Sequence, residues 1–130
     1  MAKVSSRPQG QKVARIQRGD IFLVSFDPTV GHEMKKTRPA VVIQNDVGNR
    51  YSPLTIVAAI TSKVSAVPYP VEVVLEPSKA NGLEVKSAVR LDQIRTVDHL
   101  RLVKRLGTVE GSAMAKVDEA IKISLGLLNL

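Results

Sequence analysis

The chain has 130 residues, 44% of them apolar and 24% charged, with no cysteine and no tryptophan. This is the make-up of one globular domain long enough to bury a core. It excludes disulfides, thiolate catalysis and Cys-ligated zinc, and its four aromatic residues are too few for a platform of stacked bases. Of the net charge of +7, residues 1–15 supply +4 through Lys3, Arg7, Lys12 and Arg15, leaving only +3 for the rest. Local clusters therefore say more about a polyanionic partner than the total does.

Residues 1–15 mix Ser, Gln, Gly, Pro and basic residues with almost nothing to bury, which predicts a disordered basic tail ahead of a domain over 16–130. The tail reads either as solvated chain or as a nucleic-acid-binding arm. No apolar run approaches the ~20 residues of a membrane helix, and the basic N-terminus lacks the apolar stretch of a secretory signal. The expected location is the cytoplasm, away from the membrane.

Ile21 to Phe26 reads as a strand, rich in branched and aromatic residues, closed by a turn at Asp27-Pro28-Thr29. Val30 to Thr37 is a polar, basic loop. Ala40 to Asn45 is a second strand whose continuous apolar run suits burial on both faces. Asp46 to Pro53 is a connection with room for one helical turn, and Leu54 to Ile60 is a third apolar strand. Val71 to Glu76 alternates, with Val71, Val73 and Leu75 inward and Glu72 and Glu76 outward, and Asn81-Gly82 marks a turn. Ser87 to Val97 puts apolar and polar residues on both faces, which predicts a bulge or bend inside that strand. Asp98 opens a short turn or helix, and Leu102 to Val109 is a further strand. The chain ends in a helix capped by Ser112, with Met114, Val117, Ile121, Leu125 and Leu128 at helical spacing. Short strands followed by one terminal helix predict a mainly β fold, a curved antiparallel sheet closed or half-closed into a barrel.

Two places carry chemistry. In Arg38-Pro39-Ala40 a guanidinium is delivered to the mouth of a buried strand, since Pro39 belongs at a strand's start or edge and holds Arg38 extended. A planar, permanently charged fork there suits a phosphate, or equally a rim ion pair. At Ile60-Thr61-Ser62-Lys63 a buried strand runs directly into two hydroxyls and an amine. These are either positioned groups of a site or a strand end bonding its own backbone. Antiparallel pairing of the two strands would bring Arg38 and Thr61 to one rim. The two histidines, His32 and His99, make no ligand spacing. There is no nucleophile elbow and no phosphate-cradling glycine loop, so neither metal nor cofactor is implied. RNA cleavage fits what remains, because the 2′-OH is a built-in nucleophile and the protein need only stabilise phosphate charge and assist proton movement.

Taken in order, Arg18-Gly19-Asp20-Ile21, Asp27-Pro28-Thr29, Gly31-His32-Glu33, Arg38 to Asp46, Ile60-Thr61-Ser62, Asp92 to Val97 and Arg101-Leu102 resemble the MazF/PemK family of toxin endoribonucleases, over about residues 17 to 128. The resemblance implies an SH3-like barrel that forms a homodimer, blocked by a cognate MazE-like antitoxin. It also implies metal-independent, sequence-specific cleavage of single-stranded RNA to a cyclic phosphate and a 5′-hydroxyl. Arg38 and Thr61 match the family's catalytic pair. Arg18, Glu33, Ser62, Ser87 and Gln93 match positions near its RNA groove. His32 stands where Ser is common in the family, and the 1–15 tail is extra. Two other readings share the fold. One is a gyrase-inhibiting toxin of the CcdB type, disfavoured by the absence of a C-terminal Trp-Gly-Ile; the other is a barrel that binds RNA without cutting it.

Overall fold

Six strands form one antiparallel sheet in the order β4-β5-β3-β2-β1-β6. The computed structural model describes residues 15–27, 30–32 and 36–129; apart from Arg15, the tail expected over 1–15 lies outside them. The strands are β1 (Asp20–Ser25), β2 (Thr37–Val42), β3 (Leu54–Thr61), β4 (Glu72–Leu75), β5 (Ser87–Asp98) and β6 (Leu102–Thr108), with helices α1 (Asp46–Tyr51) and α2 (Gly111–Ser124). Their apolar runs fill two cores, one on each sheet face. Ile21, Val41, Ala58, Ile60, Val89 and Leu91 pack with Val117 and Ala120 of α2. Phe22, Val24, Ala40, Val42, Val57 and Ala59 pack with Ile16, Phe26 and Leu102.

Several boundaries differ from the sequence reading, each for a local reason. β2 begins at Thr37, because pairing with β1 extends to Ser25↔Thr37, so Arg38 lies within the strand and not ahead of it. Glu72 is buried, not outward-facing, because it pairs across the ladder with Arg90. The N-cap of α2 is Glu110, not Ser112, and the helix stops at Ser124. Leu127 N–H turns back to Lys122 O (2.7 Å) around Gly126 at φ +76, a helix-ending geometry that suits glycine. Leu125 and Leu128 therefore leave the helical stripe and are exposed.

The bend expected in β5 is real and sits over four residues. Ala58 pairs with Ile94 and Ile60 with Val89, so Arg90 to Gln93 lie against Ala59 alone. Such an insertion re-aims side chains. β3 pairs with β5 on both sides of this bulge, whereas β4 pairs only with its first part, Ser87 to Arg90.

Of the closed and half-closed forms expected, the sheet takes the one left open, since strand pairing does not join β6 to β4. The gap between β6 and the turn after β4 is bridged by Thr108 N–H donating to Ala80 O (2.8 Å). Two glycines make this approach possible. A Cβ on Gly107 would sit 2.2 Å from Ala80 O, and one on Gly82, whose φ is +68, would sit 2.1 Å from Leu106 O. Gly107→Ala is therefore expected to destabilise the fold by about 2 kcal/mol or more, the scale of forced overpacking. The urea midpoint measures this; an unshifted midpoint would show that the two backbones separate at no cost.

Candidate active site

The site begins with a missing hydrogen. Phe26 N–H donates to Lys36 O (3.1 Å), in register with β1–β2 pairing, so even-numbered residues of β2 direct their backbone groups to β1. Ile43 N–H donates to Ile56 O (2.9 Å), so the odd-numbered residues face β3. After Val41 the next odd residue is Pro39, which has no hydrogen to give Ile60. Pairing of β2 with β3 ends at Ala40↔Ala59, while β1 stays paired past this point. A proline in a sheet belongs at such a local edge.

Continuing that register sets Arg38 opposite Thr61, and directly opposed residues share a face. Both line two adjoining cavities, together with Ser62. One, of about 380 Å³, has apolar walls from Leu23, Pro39, Leu83 and Leu106, with Ser87 and Lys104 at its polar side. The other, of about 430 Å³, is polar and adds His32, Lys63, Arg90 and Gln93. Thr61 is buried, and its Oγ1 accepts Lys63 N–H (3.1 Å). With an oxygen lone pair engaged, its hydroxyl hydrogen is directed to another acceptor. Ser87 Oγ donates to Val85 O (2.9 Å), which leaves its lone pairs for a ligand. The loop that returns into β2 is held at its base by Asp27, whose Oδ1 accepts Lys36 N–H (3.1 Å). Lys36 has φ 63, an uncommon conformation for a residue with a side chain.

Of the residues singled out in the sequence, Arg38, Thr61 and Ser62 thus share both cavities, Ser87 lines the apolar one and Gln93 the polar one. Glu33 lies outside the described residues. Arg18 is not brought to the cleft. Its Nε donates to Ile43 O (2.8 Å) and its Nη2 to Asp118 Oδ1 (2.7 Å), at the far end of β2 from Arg38. It fastens α2 to the sheet. The sequence reading missed Arg90, although Arg90 and Asp92 two apart on a strand share a face and make an ion pair.

The fold and cleft define a small β protein with a guanidinium, a hydroxyl and further cations around a cavity beside a splayed strand pair, a setting for phosphodiester chemistry. Residues 17–125 match the family of PemK-like, MazF-like toxins of type II toxin–antitoxin systems. Curated relatives include endoribonuclease EndoA of Bacillus subtilis, 43% identical over 88% of this chain and 97% of that one. Endoribonuclease MazF of Staphylococcus epidermidis is 46% identical over 88% and 94%. Among solved structures, MazF of Deinococcus radiodurans superposes with a TM-score of 0.73 at 27% identity, covering 88% of this chain and 99% of that one. A MazE–MazF complex from the same organism gives 0.69 at 26%, covering 89% and 100%. The chain belongs to the PemK-like, MazF-like toxin family.

Because Arg18 holds α2 and lies away from the cleft, Arg18→Ala is expected to lower the melting temperature through a loss of about 1 kcal/mol, discounted for its partly exposed ion pair. Catalysis by the folded fraction should stay within about threefold. A far larger rate loss in a fully folded variant would return Arg18 to the substrate.

Proposed function

We propose that this chain is the toxin of a type II toxin–antitoxin pair and acts as a sequence-specific endoribonuclease on single-stranded RNA. The observation that carries this reading is the sharing of one cleft by Arg38 and Thr61, where β2 and β3 part. The endoribonuclease relatives support it.

In the reaction the ribose 2′-oxygen bonds to phosphorus and loses its proton to water, while the bond from phosphorus to the 5′-oxygen breaks and that oxygen gains a proton from water. The products are a cyclic phosphate and a 5′-hydroxyl. Negative charge builds on the non-bridging oxygens in between. Arg38 meets that charge with a fixed, planar set of donors and hydrogen-bonds the leaving oxygen. Thr61 is a poor base at neutral pH; its hydroxyl orients the phosphate by donating to it. Ser62, Ser87 and Gln93 hold the flanking nucleotides, splayed so that base edges are legible. These groups supply the charge stabilisation and positioning themselves, so the reaction proceeds in this reading without a metal.

The cognate partner is an antitoxin of the MazE type, as in the complex from Deinococcus radiodurans. The active form is a homodimer, and exposed Tyr51, Leu54 and Leu100 are apolar surface available to it. The site of action is the cytoplasm, where the RNA substrate is. Among the described residues no helix is long and apolar enough to cross a membrane.

The test is purified protein with long RNA in excess EDTA, followed by mapping of the ends. Base-specific cuts are expected. Arg38→Ala should cost about 3 kcal/mol of transition-state stabilisation, the scale of losing an anion-stabilising donor, and Thr61→Ala should also abolish most cutting. A loss below tenfold in folded Arg38→Ala contradicts the assignment, and intact RNA points to a binding protein or a gyrase inhibitor instead.

A further inference from the structure

Arg90 lines the polar cavity with Arg38 and Thr61, yet the cleavage step makes no use of it. It sits at the bulge of β5, facing its register partner Glu72 on β4. Its Nε donates to Asp92 Oδ1 (2.9 Å) and its Nη2 to Asp92 Oδ2 (2.7 Å), a two-pronged pair. Glu72 Oε2 lies 3.5 Å from the same Nε, and the Glu72 side chain is 2% exposed. Glu72 is itself fixed by Tyr69 N–H (3.2 Å) and Ser65 Oγ (3.4 Å). The pairing with Asp92 raises the Arg90 pKa, with burial acting against it.

Charge decides what such an arginine is for. Two carboxylates stand against one guanidinium, so the charge of Arg90 is already more than balanced and a phosphate is drawn to Arg38 and Lys63 of the same cavity rather than to it. Rigidity remains. Asp92 occupies Nε and one Nη2 hydrogen, which leaves the edge formed by Nη1 and the second Nη2 hydrogen. Among the described residues Nη1 has no hydrogen-bond partner. Two parallel donors at a fixed angle match two adjacent acceptors on a base edge. Guanine offers O6 and N7, and cytosine offers O2 and N3. Adenine and uracil set a donor beside every such acceptor or offer acceptors singly.

We infer that Arg90, held in place by Asp92 and Glu72, reads a nucleobase beside the scissile linkage and selects guanine or cytosine there. This rests on the cleavage reading only for the word scissile; the base selection is testable by binding. In the Thr61→Ala background, where most cutting is expected to be lost, fluorescence anisotropy compares short single-stranded RNAs that differ only in having A, C, G or U at the position flanking the cut, identified by end mapping with unmodified protein or, failing cuts, by scanning each position in turn. Tight binding of G or of C, by about tenfold to a hundredfold over A and U, is expected, and which of the two wins identifies the edge being read.

Arg90→Leu would leave buried Glu72 uncompensated and risk the fold, so Arg90→Lys is the informative variant. It keeps a cation beside both carboxylates and removes the planar fork. Its binding should persist while the preference collapses towards parity. Preference unchanged in Arg90→Lys, or no preference for G or C at any position in the parent, overturns the inference. Arg90-dependent preference in a protein that never cuts RNA upholds it and removes the endoribonuclease reading instead.

Discussion

Much in this molecule follows from one absent donor. Pro39 falls in the row of β2 residues whose backbone faces β3, and it has nothing to donate to Ile60. The ladder stops at Ala40↔Ala59, two pairs short of setting Arg38 against Thr61, and the freed ends carry those two residues. A residue with an amide hydrogen would let the sheet continue and bring the two strand ends together where substrate must enter. The same residue type that holds Arg38 extended therefore also opens the space in front of it.

The rest of the cleft is assembled by departures from regular pairing elsewhere. Four residues of β5 oppose one of β3, and within that excess lie Arg90 and Gln93, both on the polar cavity. The two cavities divide the chemistry between them. The apolar one is walled by side chains from β1, β2, β6 and the turn at Gly82, while the polar one draws on β3 and the bulge. Arg38, Thr61 and Ser62 stand on the boundary, where a polyanionic backbone with apolar-faced bases meets both kinds of surface.

The strands were legible because their signals are local: Leu54 to Ile60 is apolar throughout, and Ser87 to Val97 mixes its faces as a bulged strand must. Arg38 and Thr61 were legible as a pair through antiparallel pairing alone. Other features depend on contacts distant in sequence. Glu72 reads as an outward residue until Arg90, 18 positions on, is set across from it. Arg18 reads as a free cation until Asp118 and Ile43 O are found around it. The stretch Arg38 to Asp46 divides in the same way. Its first residue faces the cleft, whereas Asn45 caps α1 by accepting Gly48 N–H (2.7 Å), and Asp46 accepts Arg18 N–H (2.7 Å). One motif thus serves two ends of a strand, and its sequence does not say which residue serves which.

The seam between β6 and the turn at Ala80 to Gly82 has a bearing on the cleft that its size conceals. Gly82, Leu83 and Leu106 belong both to the seam and to the wall of the apolar cavity. The seam is held by the bridge from Thr108 N–H to Ala80 O and by Leu83 and Leu106, which pack into one core from its two sides. The closeness of two backbones at the sheet's outer edge thus sets the position of a wall that the cavity beside Arg38 shares.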